Sequence, residues 1–275
     1  MQDKKGLYKL LFIALVVGFV MFMLAMGNYA VALGVTVAGT CVVVILKWPD
    51  ILCLMGQSQY AKGNNTKALS LLKKAHESSR SSVANSATYA YILLRVGNTD
   101  EAAKVLNYVL LNSKLKEKDK MQARQILSLV RYRQGDFAEA TRLMEMVFES
   151  YKNTGVYGAL GYYKILSKSP DAQEFNLEAY EYNSDDKVII DNMVIISLEK
   201  GDLAKAKELS DKSIDAGNKG VEIYYHAGQT YLALGDKQKA LEYFKFAASC
   251  TRSFMTTVSE KEVSDAIAAL EGEEK

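Results

Sequence analysis

The sequence predicts an all-α protein: a two-helix transmembrane hairpin, then an α-solenoid of about six helical hairpins, then a C-terminal capping helix. Three observations predict it. Proline, which breaks helix interiors, occurs only twice in 275 residues. No Asp, Glu, Lys or Arg occurs between Lys9 and Lys47. From Asp50 onward the apolar pattern is helical, and one turn signature recurs in near-constant register. The expected domains are a membrane anchor over 1–48, helical repeats over 49–258, and a capping helix with an acidic tail over 259–275.

The apolar run from Leu10 to Leu46 is too long for one crossing, because a helix needs only about 20 residues to span the hydrocarbon core. Two spans fit, at about Leu7–Met26 and Tyr29–Leu46, with Gly27-Asn28 as the turn. Lys4, Lys5 and Lys9 precede the first span and Lys47 follows the second, so the positive-inside rule places both ends in the cytoplasm. A plasma-membrane protein with two passes is expected, its N-terminus and repeats cytoplasmic. Tyr8, Tyr29 and Trp48 fall near the interfaces. Ala30, Gly34 and Ala38 form a small-residue row on the second span, read first as packing within the hairpin and second as a contact between chains. A cleaved signal peptide ending near Ala30-Val31-Ala32 is the rival. Its apolar core would be longer than the usual h-region, and cleavage would leave an apolar remnant.

The repeat signature is Gly, then Asn or Asp, three variable residues, then Ala. It occurs at Gly63–Ala68, Gly97–Ala102, Gly135–Ala140, Gly201–Ala206 and Gly235–Ala240, with glycine spacings of 34, 38, 66 and 34 residues. The gap of 66 leaves room for one more unit, with Ser169-Pro170 where its turn should be. Glycine ends a first helix by taking the left-handed conformation cheaply. The Asn or Asp behind it can accept from free amides of the second helix, and Asp136 with Glu139 has the spacing of a capping box. The four-residue excess after the second unit is read as a longer loop around Lys114–Lys120. Ser259–Leu270 predicts the capping helix, with Val263, Ile267 and Leu270 on one face, followed by a frayed tail over Glu271–Lys275.

A unit of 34 residues with this turn resembles the tetratricopeptide-repeat family. The last unit carries the resemblance best, in Tyr224, Ala227, Gly228, Tyr231, Ala240, Phe244 and Ala247; the first keeps Gly56, Ala68, Leu72 and Ala75. The second and third keep the turn but lose the first-helix glycine. The resemblance implies a superhelix whose first helices line a concave, peptide-binding groove. Transferred to this chain, the groove positions are Tyr91, Arg95, Gln125, Tyr132, Arg133, Asp191, Tyr225 and Gln229. The Lys/Asn set with which some chaperone-binding relatives clamp a carboxylate is missing.

Catalytic chemistry finds little support. The net charge of +2 and 24% charged content point neither to nucleic acid nor to disorder. Cys41, Cys53 and Cys250 are isolated, and His76 and His226 lie in different repeats without metal-ligand spacing, so both read as solvent-facing or groove residues. No nucleotide-binding or hydrolase motif occurs, and no cofactor is implied. From Lys114 to Arg133 seven basic residues face two acidic ones; the default is a solvated face, the alternative a patch for anionic lipid or an acidic peptide. The expected function is therefore a membrane-tethered adaptor that recruits a protein or peptide partner through its groove. The alternative is a structural subunit assembled, as a homo- or hetero-oligomer, through the membrane hairpin and the convex face. The membrane-anchored relatives that the resemblance brings in often serve envelope assembly, secretion or protein quality control in bacteria.

Overall fold

The computed structural model describes residues 2–113 and 115–273, with side chains over 14–113 and 115–272. Among the described residues there are fourteen helices and no strand. Lys4, Lys5, Lys9 and Tyr8 lie outside the described side chains; Lys114, Glu274 and Lys275 lie outside the described residues. The chain divides into two compact units, residues 1–89 and 90–275.

The first unit holds α1 (Gln2–Ala25), α2 (Tyr29–Ala61), α3 (Asn65–Glu77) and the start of α4 (Val83–Arg95). Gly27 joins α1 to α2 at φ 73°, and Asn28 N–H donates to the Met23 carbonyl at 2.9 Å. The expected end of the anchor at residue 48 lies inside a helix: α2 runs 33 residues without interruption. Pro49 removes one main-chain bond there but does not end the helix. One rod of about 50 Å thus carries the apolar segment and the first helix of the first repeat. Leu15, Met21, Phe22, Val42, Val43 and Ile45 are each more than half exposed. Ala30, Gly34 and Ala38 are exposed too, and a Cβ on Gly34 would meet nothing within 4 Å. The row therefore does not pack the hairpin; over residues 29–48 of α2 the buried residue is Ala32.

The second unit continues through α5 (Thr99–Leu110), α6 (Glu117–Arg133), α7 (Phe137–Phe148), α8 (Thr154–Leu166) and α9 (Ala172–Tyr182). It ends with α10 (Lys187–Glu199), α11 (Leu203–Asp215), α12 (Val221–Ala233), α13 (Lys237–Ser249) and α14 (Glu260–Glu273). Gly63, Gly97, Gly135, Gly201 and Gly235 all take left-handed φ between 72° and 89°. Each receives the paired backbone bonds of a Schellman turn; Asp136 N–H, for example, reaches the Arg131 carbonyl at 2.9 Å. Asp136, Asp202 and Asp236 cap the following helices with their side chains, whereas Asn64 and Asn98 do not.

The fourth unit keeps the turn with a different residue. Lys168 takes φ 53° and donates to Ile165 O at 3.0 Å, while Ser169 N–H donates to Lys164 O at 2.9 Å. The turn therefore sits at Lys168, not at Ser169-Pro170. The connection behind it is one residue shorter, so Ala172, Asn176 and Ala179 take the places of Ala140, Met144 and Val147. With that register, Gly161 becomes the first-helix glycine of the unit. A Cβ there would meet Asn176 Oδ1 at 2.3 Å, as one on Gly56 would meet Leu72 at 2.6 Å and one on Gly228 the Phe244 ring at 2.5 Å. Backbone and opposing side chain touch at the same place in all three units, which is why glycine is needed there.

The four-residue excess is not a loop. It lengthens α6 to 17 residues, against 13 in α8, α10 and α12, which is one added helical turn. Glu117 and Asp119 in its first turn favour the positive end of the helix dipole, and Glu117 pairs with Lys120 at 2.7 Å and Arg124 at 3.0 Å. α14 begins with a reciprocal capping box, Ser259 N–H to Glu262 Oε2 at 2.6 Å and Glu262 N–H to Ser259 Oγ at 3.1 Å. It buries Val263 and Leu270 and runs through Glu271, so that stretch is helical up to Glu273 rather than frayed.

Candidate functional site: a groove on the first helices

Within the second unit α8 packs against α10, and α10 against α12, so their corresponding faces adjoin. Together with the end of α6 they enclose a cavity of about 380 Å³. Its wall combines apolar residues with the aromatic Tyr132, Tyr162 and Phe254 and the charged Arg133, Asp191 and Glu222. Tyr132 stacks on Tyr163 at 5.5 Å between ring centroids and meets Tyr162 edge-on at 6.0 Å. Burial pushes the phenols of Tyr132, Tyr162 and Tyr163 up, so all three stay neutral hydrogen-bonding groups.

Beneath them lie buried polar contacts. Asn192, 1% exposed, donates from Nδ2 to the Gly158 carbonyl at 2.9 Å. Asp191 accepts from or pairs with His226 Nδ1 at 2.8 Å, both side chains little exposed. Burial alone would lower the His226 pKa, but the Asp191 carboxylate outweighs it and the value is raised. His226 is thus a partnered, largely buried residue held by the cavity-lining Asp191, not a solvent-facing one. Lys164, 3% exposed, is held in the same way between Glu145 at 2.6 Å and Asp171 at 2.8 Å, tying α7, α8 and the start of α9 together.

Of the groove positions transferred from sequence, Tyr132, Arg133 and Asp191 line the cavity. Tyr91 and Arg95 reach it through Phe254, which also lines it. Gln125 and Gln229 do not line it, and Tyr225 packs against Phe244 at 5.6 Å, beside α14. Sequence reasoning missed Tyr162, Glu222 and the loop over 253–257. Tyr162 stands six residues before its turn, as Tyr91 does before Gly97, and was hidden because Lys168 does not look like a turn glycine. Nothing local signals the loop.

Among the described residues no group of His, Cys, Asp or Glu side chains could hold a metal ion. The groove presents hydrogen-bonding and aromatic surface suited to holding a chain.

Residues 221–249 match the family model for the tetratricopeptide repeat. A tetratricopeptide repeat protein from Parabacteroides merdae is similar in structure, with a TM-score of 0.65 at 14% identity, over 93% of this chain and 97% of that one. The structure of pilF from Pseudomonas aeruginosa superimposes with a TM-score of 0.57 at 16% identity, over 79% of this chain and 96% of that one. No curated protein matches the sequence significantly. No catalytic family is indicated. The sixth hairpin thus matches the tetratricopeptide repeat by sequence, and over 93% of its length the chain has a fold similar to that of a tetratricopeptide repeat protein.

Proposed function

We propose that this chain is a membrane-tethered adaptor that holds a protein or peptide partner in the groove of its first helices. The tetratricopeptide-repeat fold generally mediates protein–protein interaction. The observation that carries the reading here is the cavity itself: aromatic anchors Tyr132 and Tyr162 beside Arg133, Asp191 and Glu222, the composition of a peptide-recognition surface. Tethering rests on α2, which is long and apolar enough to cross a membrane, and on the apolar surface that the α1–α2 hairpin leaves exposed. With the flanking lysines inside, the repeats face the cytoplasm at the plasma membrane, where confinement raises their effective concentration for partners.

A photo-crosslinker at position 162 of the full chain in native membranes should capture a discrete partner, and Asp191→Arg should abolish the capture. A crosslinker at Leu111, which is 82% exposed and outside the cavity, should not give the same product. Equal products from both positions would sink the groove reading. Protease protection in sealed vesicles tests the orientation: repeats shielded in inside-out vesicles would contradict it. A second reading, a structural subunit, is favoured by the open Ala30/Gly34/Ala38 row; Gly34→Leu should then dissolve an assembly without unfolding the repeats.

A further inference from the structure

The loop between α13 and α14 is more than a connector. The Arg252 guanidinium donates to the Val258 carbonyl and closes it. Inside, Ser253 N–H donates to Thr256 Oγ1 at 2.8 Å, and Met255 N–H donates to Ser253 Oγ at 3.1 Å. The base of the loop is anchored: Thr257 N–H donates to Glu222 Oε1 at 2.8 Å, and Val258 is buried against Val221, Ala247 and Val263.

The tip does something different. Phe254 does not join the apolar clusters around α14; it lies over the ends of α4 and α6. Its ring centroid is 5.2 Å from Arg95 Cζ and 5.0 Å from Arg133 Cζ, and Tyr91 meets it edge-on at 6.4 Å and 83°. Three of the groove positions expected from sequence to hold a partner are thus already holding an aromatic side chain of the same chain. Met255 beside it is 57% exposed, so the plug sits at the open rim of the cavity.

We propose that Phe254 is an exchangeable occupant of the groove, and that the partner is an extended peptide placing an aromatic side chain between Arg95 and Arg133 in its stead. The inference rests on the groove-binding reading above. Two guanidinium groups on one ring form a cation–π clamp, which selects an aromatic over an aliphatic side chain. The clasp of Arg252, Thr257 and Val258 is independent of the ring, so Phe254 leaves the clamp without undoing α14. Held in cis, the plug competes at an effective concentration of about a millimolar, and so sets a threshold that a partner must exceed.

The test uses the full chain in detergent micelles and a fluorescein-labelled peptide with the sequence of residues 251–257, read by fluorescence anisotropy. The unmodified chain should bind it weakly, and Phe254→Ala at least tenfold more tightly. Arg133→Ala added to Phe254→Ala should remove that gain, and a peptide with Ala in place of its Phe should bind neither chain. Melting curves of the variants check that each is folded. Equal affinity for the unmodified and Phe254→Ala chains, or undiminished binding of the Ala peptide, overturns the proposal. If partner capture at position 162 still depends on Asp191 in that case, the groove reading survives and only the plug fails; if it does not, both fall.

Discussion

Replacing Lys168 by glycine should stabilise the protein. Lys168 is exposed and holds φ 53° so that its amide and that of Ser169 close the turn after α8. The left-handed conformation costs a residue with a Cβ about 1–2 kcal/mol. Glycine removes that strain but frees the unfolded chain, which takes back about 0.4–1 kcal/mol. The balance is a gain of about 0.5–1 kcal/mol, or about 1–4 °C in melting temperature for a chain of this size. Urea unfolding of the full chain in detergent, followed by circular dichroism, reads it. Lys168→Ala isolates the loss of charge, since Ala keeps the Cβ and should change little. Gly135→Ala supplies the reverse case and should cost about 1 kcal/mol, because its φ is 79°. If Gly135→Ala behaves so while Lys168→Gly is neutral or harmful, the fourth turn is not the equivalent of the others and the register built on it fails.

Other outcomes follow from single contacts. Gly161→Ala should cost about 2–3 kcal/mol by overpacking, since its Cβ would stand 2.3 Å from Asn176 Oδ1, and Asn176→Ala in the same chain should recover part of that loss. Lys164→Met should cost about 1–2 kcal/mol by urea unfolding, as it removes charge-assisted bonds to Glu145 and Asp171 but keeps the apolar stem. Asp171 is held below its ordinary value chiefly by the Lys164 ammonium, so the pair's contribution is complete above about pH 4 and fades below it. His226 has the opposite sign: Asp191, with Glu222 and Glu262, raises its value against the effect of burial. Its contribution is full below about pH 6.5 and lost as pH rises through the raised value, so stability relative to His226→Gln should decline above that point. A pH-independent difference between the two proteins would refute it.

The repeat was legible because its strongest demands are local. A left-handed turn selects glycine, a helix start selects Asp or Asn, and a close helix crossing selects a small residue; each leaves a mark at a fixed spacing. Where a unit met the same demand by other means, the marks vanished. Lys168 adopts the turn without being glycine, and the shortened connection moves Ala172 by one place, so the fourth hairpin and its groove residue Tyr162 were not readable. The excess between the second and third units was legible as a length only. Four residues make either a loop or a turn of helix, and the acidic start of α6 with its Lys120 and Arg124 partners makes them helix.

By itself, then, the sequence determined what periodicity and composition can specify: helices throughout, the hairpin unit, five of six turns, an apolar N-terminal pair of helices and a capping helix at the end. Tertiary structure alone decided which residues share the groove. Burial of His226 against Asp191, the close approach of Gly161 to Asn176, and the exposure of Ala30, Gly34 and Ala38 depend on which faces the packed helices turn to one another. Phe254 shows the difference most plainly. Its position between Arg95 and Arg133 joins residues more than a hundred places apart, a contact made only when the stacked helices bring both ends of the groove within reach of one loop.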